Sequence, residues 1–244
     1  MFINCNGIVI NEILLKENNK LLTILTDSYG KLTVTGFRAK STKSELMASC
    51  QLFSYSSFVL ELKNDRYKIH SSELISSFYN LRNDIKTLSL AGYLGQLCEH
   101  FAQFGQDCSE LLRLLLNTYH ILTLKTKPFD IIKAVFELKL AKLSGFEPNI
   151  SYCNNCTSNE VAFFSENRVE IVCKNCKNTY ERYLPLSASA LKGISYILNS
   201  DLKKAFSFTA GADTLRTISI FCEQYILSIS DRNFKALKFY KTLT

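Results

Sequence analysis

The chain has 244 residues, 47% of them hydrophobic, with only 9 glycines and 3 prolines; this is globular composition, long enough for two domains or one domain with an insert. No apolar run approaches the roughly 18 residues of a membrane span, and the first residues, Met1-Phe2-Ile3-Asn4-Cys5-Asn6, lack the basic and apolar regions of a secretory signal. A membrane protein and an exported disulfide scaffold are therefore excluded, and the expected location is a reducing cytoplasm. The formal charge of +7 divides as +2 over residues 1–80, +1 over 81–152 and +4 over 153–244, which permits a polyanionic partner without requiring one.

Residues 1–80 read as strands. Residues 7–16 form a long apolar run whose alternation slips between Ile10 and Ile13, the mark of a bulged first strand. Asn18-Asn19 is a turn signal because asparagine tolerates positive φ, and a second strand follows over residues 20–26. After the turn Asp27-Ser28-Tyr29-Gly30, the residues Leu32, Val34 and Gly36 alternate with Thr33, Thr35 and Phe37. A polar loop leads to a strand over 55–62, a turn at Lys63-Asn64-Asp65 and a strand over 66–71. Five strands in about eighty residues, the first one kinked, suit a closed barrel such as an OB-fold, with an SH3-like barrel as the competitor.

From about residue 80 the period becomes helical, with no linker between. Leu90, Leu94, Leu97, Phe101 and Phe104 make one apolar stripe. Asp107-Cys108-Ser109-Glu110 has a capping-box pattern and opens a helix to about Leu124, apolar nearly all round and so expected to be central and buried. Pro128 suits the start of a third helix carrying Ile132, Phe136, Leu140 and Leu143, and Gly145 suits its C′ position. Leu186-Ser187 reads as a cap before Leu191, Ile194 and Leu198, and a final long helix carries Leu215, Ile218, Cys222, Tyr225 and Ile229. The domains expected are a barrel over 1–80, a helical domain over 81–150 and 183–244, and an insert over 151–182.

That insert holds the most specific signal. Cys153-Asn154-Asn155-Cys156 and Cys173-Lys174-Asn175-Cys176 are two Cys-x-x-Cys pairs separated by sixteen residues, the spacing of a zinc ribbon or knuckle. The intervening residues suffice for a hairpin that brings both pairs together. Four thiolates would close a tetrahedral Zn²⁺ shell, one ion per chain, with no open position for water; such a site builds structure. Cys5, Cys50, Cys98, Cys108 and Cys222 are scattered and read as small packing residues.

Catalytic patterns are missing. No phosphate-cradling glycine motif and no His-Glu-x-x-His occur, and of the 3 histidines, His100 and His120 fall in helical stretches as ordinary side chains. The expectation is a protein that is not an enzyme. The basic loop Arg38-Ala39-Lys40-Ser41-Thr42-Lys43-Ser44 follows Phe37, with Tyr29 and Lys31 nearby. On an OB-type barrel, cations for phosphates and aromatics for bases are the ingredients of single-strand binding, although a solvated loop would look the same. A second cluster, Arg232, Lys235, Lys238 and Lys241, interleaves with Phe234, Leu237, Phe239 and Tyr240. It could contact nucleic acid or an acidic peptide, or be a solvated helix face.

These parts, in this order, resemble the RecO family of bacterial recombination mediators over essentially the whole chain. The carrying residues are Gly7-Ile8-Val9-Ile10, Leu25-Thr26-Asp27-Ser28-Tyr29-Gly30-Lys31-Leu32, Gly36-Phe37-Arg38-Ala39-Lys40-Ser41 and Leu52-Phe53. The most specific stretch runs from Phe136-Glu137-Leu138-Lys139-Leu140-Ala141-Lys142 through Leu143-Ser144-Gly145-Phe146-Glu147-Pro148, straight into Cys153. The resemblance implies an N-terminal OB-fold, a helical domain with a zinc-ribbon-like insert, and binding and annealing of single- and double-stranded DNA. Its implied partners are RecR, the acidic C-terminal tail of the single-stranded-DNA-binding protein and, indirectly, the RecA filament; the implied setting is the nucleoid. By position, Arg38, Lys40 and Lys43 match the family's basic loop, and Cys153, Cys156, Cys173 and Cys176 its metal ligands; Lys235, Lys238 and Lys241 are candidates for the tail contact. Where many members have a glycine pair before the second Cys-x-x-Cys, this chain has Asn167-Arg168, and its helical domain looks short. The rival readings are a zinc-ribbon RNA-binding or transcription-associated factor without annealing activity, and a scaffold whose barrel binds only protein.

Overall fold

The slip in alternation near Ile10 is where the first strand bends. In the computed structural model, which describes residues 1–243, β1 (Phe2–Leu14) pairs antiparallel with β2 (Lys20–Thr26), and the register shifts between Val9 and Asn11. The bend lets β1 serve both edges of one sheet. Its second half runs along β2, while residues 2–8 pair with β4 (Ser54–Lys63). Between them come β3 (Lys31–Gly36) and the short helix α1 (Leu46–Ser49), and after them β5 (Arg66–Ser77). β3 and β5 meet in parallel at Val34 and Tyr67, closing a barrel in the order β1-β2-β3-β5-β4, the OB-like arrangement.

Inward-facing apolar residues of every strand fill the barrel, among them Val9, Leu22, Ile24, Leu32, Val34, Phe58, Leu60 and Ile69. Burial pushes the thiol of Cys5 up to about 12 and that of Cys50 up to about 11, so both act as neutral packing groups. β5 extends six residues past the end expected from its sequence. Beyond Ser71 the strand is mostly exposed and is held by its pairing with β4, whose register shifts twice, so no clean alternation is left to read.

Asp84 caps α2 (Ile85–Phe101), its carboxylate accepting the Thr87 N–H at 3.0 Å. The helix stops at Phe101. Phe104, expected on its apolar stripe, lies beyond it and is 66% exposed, because the chain has already turned toward α3 (Ser109–Leu124). The leucine run of α3 is less enclosed than expected: Leu111, Leu112, Leu114 and Leu115 are buried, but Arg113 and His120 are exposed on one face with half-buried Asn117 between them.

The turn between β2 and β3 docks on the α2–α3 connection. The Tyr29 carbonyl accepts the Gly105 N–H, the Asp27 carbonyl accepts the Cys108 N–H at 2.8 Å, and the Lys31 ammonium donates to the Glu99 carbonyl at 2.6 Å. Gly30 sits at the centre with φ +65, and a β-carbon there would lie 1.8 Å from the Gln103 carbonyl oxygen. Gly30→Ala combines a left-handed backbone with overlap on another backbone. It is expected to cost about 3 kcal/mol in urea unfolding; a loss below about 1 kcal/mol would show that the docked turn yields freely.

The chain divides into two compact units, one of Met1–Leu124 with the segment from Phe234, the other of Lys125–Asn233. The last barrel strand ends at Ser77, while the first unit continues through α2 and α3. It also takes in the last helix, α8, described below.

The second unit is built on α4 (Phe129–Leu143), buried at every position from Ile131 to Ala141. This is the enclosed helix, the place expected for α3. It ends in a Schellman turn: the Phe146 N–H reaches the Ala141 carbonyl, the Gly145 N–H reaches that of Lys142, and Gly145 takes φ +83. Around it lie α5 (Ala188–Asn199), capped by Ser187, the short α6 (Leu202–Ala205) and α7 (Ala212–Ser230). Three charged residues of α4 are buried. Lys133 lies 3.2 Å from Glu137 one turn on and 3.0 Å from Glu223 of α7, while Lys139 donates to the Leu198 and Ser200 carbonyls at the end of α5. The insert between α4 and α5 is a three-stranded sheet of β6 (Val161–Ser165), β7 (Glu170–Cys173) and β8 (Tyr183–Pro185), with β6 in the middle. The chain then returns to the first unit as α8 (Lys235–Lys241), where Phe234 meets Tyr93 edge to face and the Ala236 N–H donates to the Gln96 side-chain oxygen. No helix among the described residues is long and apolar enough to cross a membrane.

Candidate metal centre and nucleic-acid interface

The β6–β7 hairpin brings the two cysteine pairs together. The Cys153 N–H donates to the Ser158 carbonyl, and Thr157 turns with φ 60 to return its N–H to the Cys153 carbonyl; a tight knuckle results. The second pair ends β7 and enters a 3-10 turn over Lys174–Cys176. All four sulfurs lie within 4.8 Å of one another, and those of Cys156 and Cys173 are 3.6 Å apart. A tetrahedral zinc with bonds of about 2.3 Å needs sulfurs about 3.8 Å apart. The cluster therefore has the size and the donor set to hold a metal ion.

The four sulfurs do not share one environment, and that of Cys153 suits negative charge. Burial opposes ionisation of Cys153, yet hydrogen bonds from the backbone N–H groups of Cys173, Cys156 and Asn155 hold its thiol down at about 6. The thiols of Cys156 and Cys173, hydrogen-bonded to Cys176, push that group up to about 12. Beneath the sulfurs lies a small core of Val172, Val161, Phe163 and Tyr183, with the Lys177 ammonium 4.6 Å from the Phe163 ring centroid. Arg168, in place of a hairpin glycine, spans the insert: it donates to Glu181 at 3.1 Å and to the Asn155 side chain at 3.2 Å. The residue of the hairpin with positive φ is its neighbour Val169, at 58.

A separate groove of about 1010 Å³ opens on the barrel. Its walls come from the β1–β2 loop with Asn18 and Asn19, the segment after β3 with Phe37, Arg38, Ser41, Lys43 and Ser44, and His70, Ser71 and Ser72 of β5. Two loops are joined at its rim, where the Arg38 N–H donates to the Asn19 side chain at 2.9 Å and the Lys40 N–H to the Asn18 carbonyl at 3.0 Å. The groove therefore brings Arg38 and Lys43 together with hydroxyls, amides, one aromatic ring and the carboxylates of Glu17 and Glu45. The cations, amides and hydroxyls are groups that can meet phosphate oxygens, and the two carboxylates balance the formal charge of the two cations.

The other sequence candidates stand elsewhere. Lys40 is exposed but does not line the groove. Tyr29 is half-buried against the barrel core, and Lys31 spends its ammonium on the Glu99 carbonyl. Lys235, Lys238 and Lys241 are exposed on α8, which belongs to the barrel unit, while Leu237 and Tyr240 form its buried face. Sequence reasoning passed over Asn19, His70 and the buried ions of α4. A lysine and a glutamate four residues apart, with apolar residues on all sides, was the available signal for the last of these.

Comparison with known proteins decides the lineage. The family model described as "Recombination protein O N terminal" matches residues 1–78, and "Recombination protein O C terminal" matches residues 82–238. The chain belongs to the RecO family. Among its relatives named DNA repair protein RecO, the one from Acetivibrio thermocellus is 31% identical over 99% of this chain and 97% of its own length. That of Alkaliphilus metalliredigens is 31% identical over all of both chains, and that of Caldicellulosiruptor bescii 30% identical over 98% of each. In this RecO chain the most specific stretch of the sequence, residues 136–148, is the buried helix α4 and its exit. The Tyr225 hydroxyl fastens that exit by donating to the Phe146 carbonyl at 3.0 Å, so the motif marks the packing of the second unit.

Proposed function

We propose that the protein is a non-enzymatic DNA repair and recombination mediator of the cytoplasm and nucleoid. It binds single- and double-stranded DNA, anneals complementary strands and, with RecR, helps load RecA onto DNA coated by single-stranded-DNA-binding protein. RecO-family membership supports the role in repair. The observation that carries the DNA reading is the barrel groove, in which Arg38 and Lys43 converge with serine hydroxyls and the exposed Phe37. Cations on such a surface neutralise two approaching strands, lower their repulsion and leave the bases free to pair. Zn²⁺, one per chain, is the ion whose chemistry fits Cys153, Cys156, Cys173 and Cys176; it would close the insert and leave no coordination site for hydrolysis. The exposed lysines Lys235, Lys238 and Lys241 are offered as the contact for the acidic tail.

The deciding experiment is annealing of two complementary oligonucleotides coated with single-stranded-DNA-binding protein, with and without its acidic tail. Tail-dependent acceleration is expected. No acceleration by folded, zinc-loaded protein would overturn the mediator reading and favour an RNA-binding factor or a scaffold. Phosphate contacts release counterions, so replacing Arg38, Lys40 and Lys43 together by alanine is expected to lower the slope of log K against log salt by about 2 on single strands. An unchanged slope would remove this loop from the DNA site.

A further inference from the structure

We infer that Phe37 is a stacking platform for one unpaired base, and that this ring gives the barrel groove its preference for single strands over duplex. The inference deepens the DNA-binding reading and rests on it. In a regular strand Phe37 and Arg38 would point to opposite faces. Here Arg38 takes φ 54, the left-handed region, and both residues line the same groove. The Asn19 side chain fixes that conformation by accepting the Arg38 N–H. A non-glycine residue held in this region costs stability and persists where its surroundings enforce it. What the conformation achieves is an aromatic residue and its cationic neighbour on one groove.

Phe37 is 47% exposed, in step with a strand that buries Leu32, Val34 and Gly36 and turns the residues between them outward. Lys68 of β5 holds its ammonium 5.3 Å from the ring centroid, and Lys68 is no part of the groove wall. The ring is therefore backed by a cation from outside the groove, and its exposed part is open to a ligand. A planar base of any sequence fits there, since every base has a π-face, while Arg38 and Lys43 meet the flanking phosphates. Paired and stacked bases of a duplex cannot offer a free face, so duplex would be held through phosphates alone.

The chain has no tryptophan, which makes Phe37→Trp a single-site reporter. Its fluorescence is expected to be quenched on titration with oligo(dT) and to stay unchanged with a blunt duplex of equal length. Phe37→Ala is expected to weaken oligo(dT) binding by about 5- to 150-fold at fixed salt, the range for losing one stacked base, and to leave duplex affinity within about twofold. Phe37→Tyr should restore the single-strand affinity. Equal losses on both DNAs, no loss on oligo(dT), or no quenching would each overturn the platform. These results are separable from failure of the DNA reading itself, in which the unaltered protein would bind neither DNA.

Discussion

Replacing Cys153 by serine is expected to abolish stoichiometric zinc and to unfold the insert from about residue 151 to 185. Its sulfur is fully buried and receives backbone N–H groups from three residues, so a hydroxyl there would remove one of the four thiolates at the most enclosed position of the cluster. The insert has little else to hold it. Its sheet has three short strands, and its core is a handful of side chains under the sulfurs. Metal binding at such sites supplies about 10–16 kcal/mol, which is folding free energy for the segment that carries the ligands. Chelation of the unaltered protein should have the same effect. The measurement is metal content together with limited trypsin cleavage at Lys174 and Arg182, both exposed. A protein purified without zinc that still resists cleavage would refute the metal assignment. DNA binding by the barrel gives a second readout: its salt slope should survive loss of zinc if the cysteines serve structure alone.

The second large effect is expected at Lys133, 97% buried and shared between Glu137 and Glu223. Lys133→Met should destabilise the second unit by about 3–5 kcal/mol in urea unfolding, because it leaves two carboxylates in a dry core without their cation. Adding Glu137→Leu should recover much of that loss, since the paired ions give little net stability once their desolvation is counted, and Glu223 is the more accessible partner. A double variant as unstable as the single one would indicate that Glu137 has a packing role of its own. Burial pushes the Lys133 ammonium toward deprotonation, but Glu137 and then Glu223 outweigh it and hold the group above its ordinary range. The stability from this raised value is fully present below the unfolded lysine value of about 10.4 and is lost as pH climbs through the folded one.

The sequence by itself determined what depends on local rules. Period two and turn residues placed β2 at Lys20–Thr26, and a break in alternation gave away the bulge that bends β1. The Pro128 and Gly145 ends of α4 and the Ser187 cap of α5 were legible because capping is settled by a few adjacent residues. The twin Cys-x-x-Cys pairs foretold a cluster that the hairpin assembles. Residue order over the whole chain was enough to resemble the RecO family.

Only the tertiary structure decided which cations share a surface. Arg38 and Lys43 enter one groove, whereas Lys31, with the same charge and a similar position in sequence, is absorbed by a helix-end carbonyl. That outcome depends on where α2 ends relative to the β2–β3 turn, a distance no local pattern encodes. Burial of Lys133 likewise required α7 to supply Glu223, ninety residues away. The last helix carries its lysines on the barrel unit because Phe234, Leu237 and Tyr240 find their apolar partners there. Amphipathic spacing tells which face of a helix will be buried; the partner that buries it is chosen by the packing of the whole chain.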